Sequence, residues 1–119
     1  MANIQETLAA IMTVDGCQAC ALVDYNSGLV LGKAGSGLDL DLAGAGNTEV
    51  VRAKMKTMKS LNLKEDIEDI LITLGSQYHI IRPLSKKQGL FLYVVLMKDR
   101  ANLALARLKT ADAEKEIVV

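Results

Sequence analysis

The sequence predicts an α+β domain built on antiparallel strands, and three observations predict it. Segments with apolar residues at helical spacing are interspersed with short runs rich in Ile, Leu and Val. Those runs are joined by short glycine-bearing turns, too short for the crossover that parallel strands require. The resulting order is helix, hairpin, long helix, three-stranded meander, helix. At 119 residues the chain is one domain, with no internal repeat, linker or low-complexity segment.

Asn3 followed by Glu6 opens the first helix, with Asn where a capping box usually has Ser or Thr. Ile4, Leu8, Ile11 and Met12 recur at helical spacing, and Gly16 follows, so this helix is read over 3–14. Residues 17–25 are apolar enough for a strand buried on both faces. Asn26-Ser27-Gly28 is its turn, where Asn and Gly both tolerate positive φ, and Leu29-Val30-Leu31 returns, the hairpin reaching 34. Gly35-Ser36-Gly37 is a loop. Asp39 or Asp41 caps a helix running to Ser60 or Leu61, about 33 Å at 1.5 Å per residue. Its apolar face carries Ala43, Val50, Val51, Met55 and Met58.

Ile67 to Leu74 reads as a strand, Gly75-Ser76 as a two-residue turn, and Gln77 to Leu84 as the return, with Pro83 near its end, where a missing N–H costs least. Leu90 to Met97 is a strand buried on both faces. Asp99 is expected to cap the last helix, with Ala101, Ala104, Leu105 and Leu108 on one side. The domain is read over 1–110, and 111–119 as a frayed tail.

Half the residues are hydrophobic, but Trp is absent and Phe91 is the single Phe, so the core must be aliphatic. Fourteen basic and fourteen acidic residues cancel, which leaves little electrostatic pull toward nucleic acid. The longest apolar run, Leu90 to Met97, falls far short of the ~20 residues a membrane span needs. The first residues lack the basic start and apolar block of a signal peptide. The expectation is a cytoplasmic protein with reduced cysteines, no nucleic-acid partner and no membrane insertion.

Several segments imitate catalytic motifs and fail them. Gly28-Leu-Val-Leu-Gly32-Lys33 suggests a phosphate loop, but it has three residues between its glycines where four are needed, and Ala34 where Ser or Thr would hold magnesium. Gly35-Ser-Gly37 and Gly44-Ala-Gly46 lack the third glycine of a dinucleotide fingerprint, since Leu40 and Glu49 stand there. Cys17-Gln-Ala-Cys20 is a C-x-x-C, but on a strand its two side chains would point to opposite faces, Cα atoms about 10 Å apart, beyond disulfide reach. His79 is the only histidine, without the companions of a zinc site or a triad; it is expected at a strand edge or an interface. No serine sits on a nucleophile elbow. These failures argue against an enzyme and leave no cofactor implied.

Two features of the long helix are less easily dismissed. Arg52, Lys56 and Lys59 follow at i, i+4 and i+7, as a solvated face or as a stripe that meets an acidic partner. Gly44 and Gly46 each cost about 1 kcal/mol relative to Ala inside a helix. They mark either a frayed first turn or the close approach of another backbone.

Three segments together resemble the Roadblock/dynein light chain superfamily, in its bacterial branch of GTPase-regulating proteins. They are the hairpin Ala21-Leu-Val-Asp-Tyr-Asn-Ser-Gly-Leu-Val-Leu31, the helix run Ala45-Gly-Asn-Thr-Glu-Val-Val-Arg-Ala-Lys54, and the stretch Ile67 to Leu84. With the element order, the likeness covers nearly all of residues 1–110. It implies a five-stranded antiparallel sheet with the long helix on one face and two helices on the other. It implies a homodimer in which the long helices pair, through Ala43, Gly44, Gly46 and Val50, and the third strands join, through Glu68, Ile70 and Ile72. It also implies binding to a Ras-like small GTPase, for which Arg52, Lys56 and Lys59 are the candidate contacts. Some bacterial members speed GTP hydrolysis by repositioning the GTPase's own residues, which asks for no catalytic group here. A scaffold subunit without GTPase contact and a small-molecule sensor are the alternatives.

Overall fold

A computed structural model describes residues 1–119. The elements are α1 (Ile4–Met12), β1 (Cys17–Asp24), β2 (Val30–Gly35), α2 (Leu40–Ser60), β3 (Ile70–Thr73), β4 (Gln77–Pro83), β5 (Leu90–Met97) and α3 (Leu103–Glu116). The strands form one five-stranded antiparallel sheet in the order β2-β1-β5-β4-β3. α1 and α3 cover one face and α2 lies on the other, as expected. β1 and β5 sit centrally between the two layers, which is why both read as nearly continuous apolar runs. On the α1/α3 face the core is Leu8, Ile11, Leu22, Ile80, Leu92 and Leu96 with their neighbours. On the α2 face it is Ala21, Val23, Val51, Ile81, Phe91 and Tyr93 with theirs.

α1 begins with a complete capping box: Asn3 Oδ1 accepts from the Glu6 N–H at 2.8 Å, and Glu6 Oε1 accepts from the Asn3 N–H at 3.0 Å. Asp39 is the cap of α2, its carboxylate accepting from the Leu42 N–H at 3.1 Å, while Asp41 instead pairs with Lys33 at 2.9 Å. In the β1–β2 turn only Gly28 takes a positive φ, +82°; Asn26 does not.

The sequence reading is corrected at four places. The third strand does not extend over Ile67 to Leu74. It pairs only at Ile70–Thr73, because the segment before it is held toward α3 by Arg107, whose Nε and Nη2 each donate to the Asp69 carboxylate at 2.8 Å.

The last helix is capped by Asn102, which accepts from the Leu105 N–H at 3.0 Å, and not by Asp99. Its buried stripe is Ala106, Thr110 and Glu114, leaving Leu105 and Leu108 40% and 57% exposed. That stripe was hidden because two of its members are polar. Thr110 returns its hydroxyl to the Ala106 carbonyl at 2.8 Å, and Glu114 accepts from Ser85 Oγ at 2.8 Å and from Arg82 Nε at 3.4 Å.

Residues 111–119 are therefore not a frayed tail. α3 runs to Glu116, Ile117 enters the core, and Ala2 pairs beside Ile117 through two backbone bonds of 2.7 Å.

Cys17 and Cys20 share a face, where the sequence placed them on opposite ones. Against β5, Cys17 pairs with Leu96 and Ala19 with Val95, so Gln18 is an extra residue that resets the alternation. Both thiols pack under α1: Cys17 Sγ lies 3.7 Å from Met12 Sδ, and Cys20 Sγ donates to the Leu8 carbonyl at 3.5 Å.

Candidate interaction surface

α2 crosses its face of the sheet off-centre. It rests chiefly on β1 and β2, burying Leu40, Gly44, Thr48 and Val51. The β3/β4 half of the same face is left with Ile70, Ile72 and His79 only partly buried. Gly44 owes its smallness to this contact. A Cβ there would stand 2.6 Å from Val30 Cγ2 and 3.4 Å from Val23 Cγ2. The reading of Gly44 as a helix–helix contact is corrected accordingly: it faces its own sheet. At Gly46 a Cβ would meet nothing within 4 Å. Val50 is 37% exposed, and Ala43 is half-buried against the core.

The two flanks of α2 differ. Asp41 reaches Lys33 on β2, and the backbone at Ala45 approaches Gly28 in the β1–β2 turn. Asn47, on the other side, stands beside the Tyr93 hydroxyl on β5. Helical periodicity then assigns the remaining positions. Ala43, Asn47, Val50 and Lys54 lie toward the uncovered β3/β4 half. Arg52 and Lys56 fall on the flank of Asp41, which faces β2, and Lys59 lines the cleft at the C-terminal end of α2 with Ile67 and Pro83. All three of these cations are exposed and none is ion-paired. Gly46 projects outward together with Ala53 and Thr57, and beside them stands Leu42, 69% exposed.

β3 is one edge of the sheet, so Ile70 and Ile72 stand beside backbone groups that no strand of this chain pairs. Glu68 lies just ahead of it, exposed and outside regular structure.

A polar chain runs under the uncovered half. Tyr93 Oη and His79 Nδ1 are 3.0 Å apart, and His79 Nε2 and Gln77 Oε1 are 2.8 Å apart. Burial pushes the His79 pKa below its ordinary value, which favours the neutral ring. Burial likewise raises the Tyr93 hydroxyl, so it stays protonated. His79 lies on β4, between β5 and β3, so it is not at an edge of the sheet, and it is one link in a hydrogen-bond relay.

The motif look-alikes have structural explanations. Gly32 is small because a Cβ there would lie 2.6 Å from Ile4 Cγ2, and Lys33 is occupied by Asp41. The Cys20 thiol beside Cys17 lowers the Cys17 pKa, while its own is driven up by Cys17 and by burial. A cleft of about 590 Å³ opens at the C-terminal end of α2, lined by Met55, Met58, Lys59, Ile67, Pro83 and others. Its walls mix apolar and charged groups of both signs. No helix is long and apolar enough to cross a membrane.

No protein-family model matches this sequence, and no curated protein matches it. Solved structures do. A Roadblock/LC7 domain from Streptomyces avermitilis superposes with a TM-score of 0.82 at 15% identity, over 96% of this chain and 93% of that one. This chain has the Roadblock/LC7 fold. The gliding protein MglB of Thermus thermophilus superposes with a TM-score of 0.80 at 17% identity, over 94% of this chain and 83% of that one. MglB of Myxococcus xanthus gives 0.79 at 17% identity, over 92% and 89%. The Roadblock/LC7 layering matches the expectation drawn from the hairpin, the long helix and the Ile67 to Leu84 stretch. Identities this low speak to architecture, so the roles of individual residues rest on the geometry above.

Proposed function

We propose that this chain is a non-enzymatic regulatory protein that works as a cytoplasmic homodimer and engages a Ras-like small GTPase. The observation that carries the proposal is the half-covered sheet: α2 shields the β1/β2 side, and the β3/β4 side ends in an open edge strand. A second copy related by a two-fold axis covers both at once. Its β3 adds to β3, and its α2 lies beside α2 over the uncovered half. The interface residues are then Ala43, Gly46 and Val50 on α2, and Glu68, Ile70 and Ile72 at the edge. Pairing removes an edge that would otherwise invite aggregation. The structural likeness to MglB proteins supports the regulatory reading.

This arrangement leaves the other flank of α2 free. Arg52, Lys56 and Lys59 offer a cationic row to an acidic partner surface, which would steer association more than it would tighten the complex. Regulation of this kind requires no cofactor, nucleic acid or membrane insertion on the part of this chain. The test has two arms. Sedimentation velocity at micromolar concentration should report about twice the monomer mass. Affinity capture with the dimer from the native host should retrieve a Ras-like GTPase. A monomer in the first arm removes the dimer; a retrieved set without a GTPase removes the partner.

A further inference from the structure

We propose that the dimer is acid-sensitive, and that His79 is the group that makes it so: protonating its ring opens the interface between the two copies. The inference rests on the homodimer reading and concerns the same surface.

The argument begins with the direction of the hydrogen bonds. Asn47 Nδ2 is anchored on the Ala43 carbonyl at 2.8 Å, with its amide beside the Tyr93 hydroxyl. Tyr93 Oη lies 3.0 Å from His79 Nδ1, His79 Nε2 lies 2.8 Å from Gln77 Oε1, and Gln77 Nε2 donates toward Met97 Sδ at 4.0 Å. With donors and acceptors matched, the chain runs one way. Tyr93 donates to Nδ1, and Nε2–H donates to Gln77 Oε1. The network assigns the ring as the neutral Nε2–H tautomer.

A second proton can enter only at Nδ1, where it meets the Tyr93 hydrogen. The hydroxyl must then turn its proton elsewhere, and Tyr93 is 1% exposed, so water does not receive it. The charged ring is left in a site whose one resolved influence is desolvation.

The surroundings offer no compensation. From β5, Tyr93 and Val95 face the ring; from β3, Ile72 is paired directly opposite; from β4, Gln77 and Ile81 flank it. From α2 comes Asn47, with Lys54 on the same flank. The carboxylates of the segment leading into β3 are Glu68, exposed, and Asp69, committed to Arg107. A second copy laid over this half brings the same groups by symmetry, including another Lys54, and takes the half-buried ring out of water.

The sign follows. Dimerisation buries His79 further and lowers its affinity for a proton, so the dimer binds fewer protons than two monomers. Its affinity is complete above the monomer's His79 pKa and falls as pH drops through it. Two rings per dimer set a limit of about 100-fold in dissociation constant per pH unit. The chain has a single histidine, so no other imidazole contributes.

The experiment measures the dimer dissociation constant by sedimentation equilibrium at about pH 7.5 and about pH 5.5, for the parent and for His79→Gln. The expected result is a dimer at the higher pH that weakens about tenfold or more at the lower one in the parent and hardly at all in His79→Gln. A parent dimer indifferent to pH, or equal weakening in both proteins, overturns this inference and leaves the dimer standing. A monomer at both pH values overturns the dimer reading and this inference with it. Should His79→Gln fail to fold, the parent's imidazole is titrated by proton NMR above and below the dimer dissociation constant. A lower pKa at the higher concentration supports the inference, and equal values overturn it.

Discussion

The sheet has two edges, and they are built to opposite specifications. β2 is bent and guarded. Against β1, Leu22 pairs with Gly32 and Val23 with Val30, so Leu31 is an extra residue that kinks the strand. α1 presses Ile4 onto Gly32, and Lys33 places a charge along the edge, tied to Asp41. Bulges and edge lysines are the usual devices against unwanted strand pairing. β3 has neither. Its four residues, Ile-Leu-Ile-Thr, hold an unbroken register with Ile81 to Tyr78. The open edge is the one that the proposed dimer would cover. The flanks of α2 repeat the pattern: the side toward β3 is small and nearly neutral, and the side toward β2 is cationic.

The largest expected effect tests the edges against each other. Ile72→Lys puts a charge into the face that the second copy would cover and should weaken the dimer by about 2–4 kcal/mol, roughly 30- to 1000-fold, because an unpaired charge is desolvated. Leu31→Lys, on the guarded edge, should leave the dimer unchanged. Sedimentation of the two variants reads both outcomes, and equal weakening would erase the distinction between the edges.

Next in size is the pair of glycines. Gly44→Leu forces a side chain into Val30 and Val23 and should destabilise the folded monomer by about 1–3 kcal/mol, seen in denaturant unfolding. Gly46→Leu should leave the monomer's fold intact and weaken dimerisation about tenfold, a typical cost for blocking one close contact. If Gly44→Leu were the harmless one, the assignment of the inward and outward faces of α2 would be reversed.

The smallest effect belongs to the cationic flank. Lys56→Glu with Lys59→Glu should not alter the dimer. It should slow association with an acidic GTPase surface several-fold at low salt, with a smaller change in dissociation and a loss of the difference at high salt. Stopped-flow association rates read this directly. A rate indifferent to charge reversal would return these residues to a merely solvated face.

Much of the architecture was legible in the chain. Element order and type, the first capping box and the doubly buried β1 and β5 follow from periodicity and turn residues. Both are local, so a single sequence displays them. What periodicity missed shares one cause: a residue's value was set by something distant in sequence. Glu114 looks solvent-facing until Ser85 and Arg82 reach it, and Thr110 until its hydroxyl is seen to bond the Ala106 carbonyl, so periodicity alone points α3 the wrong way and ends it too early. The bulge at Gln18 is visible only against β5, and so the two cysteines were assigned to opposite faces.

The candidate surface divides in the same way. The sequence by itself determined that α2 carries a small-residue patch and a cationic row, and that Ile70 and Ile72 belong to an apolar strand. Those are statements about composition and spacing along one segment. Only the tertiary structure decided that Gly44 faces inward while Gly46 faces out, that Arg52 and Lys56 share the flank of Asp41 while Lys59 lines the cleft beside Ile67, and that β3 is an edge. It alone joined His79 to Tyr93 and Gln77 beneath the uncovered half. Strand order and helix placement are settled by which apolar faces bury each other across the whole chain. That is a global minimum of exposed surface, and no local window of residues encodes it.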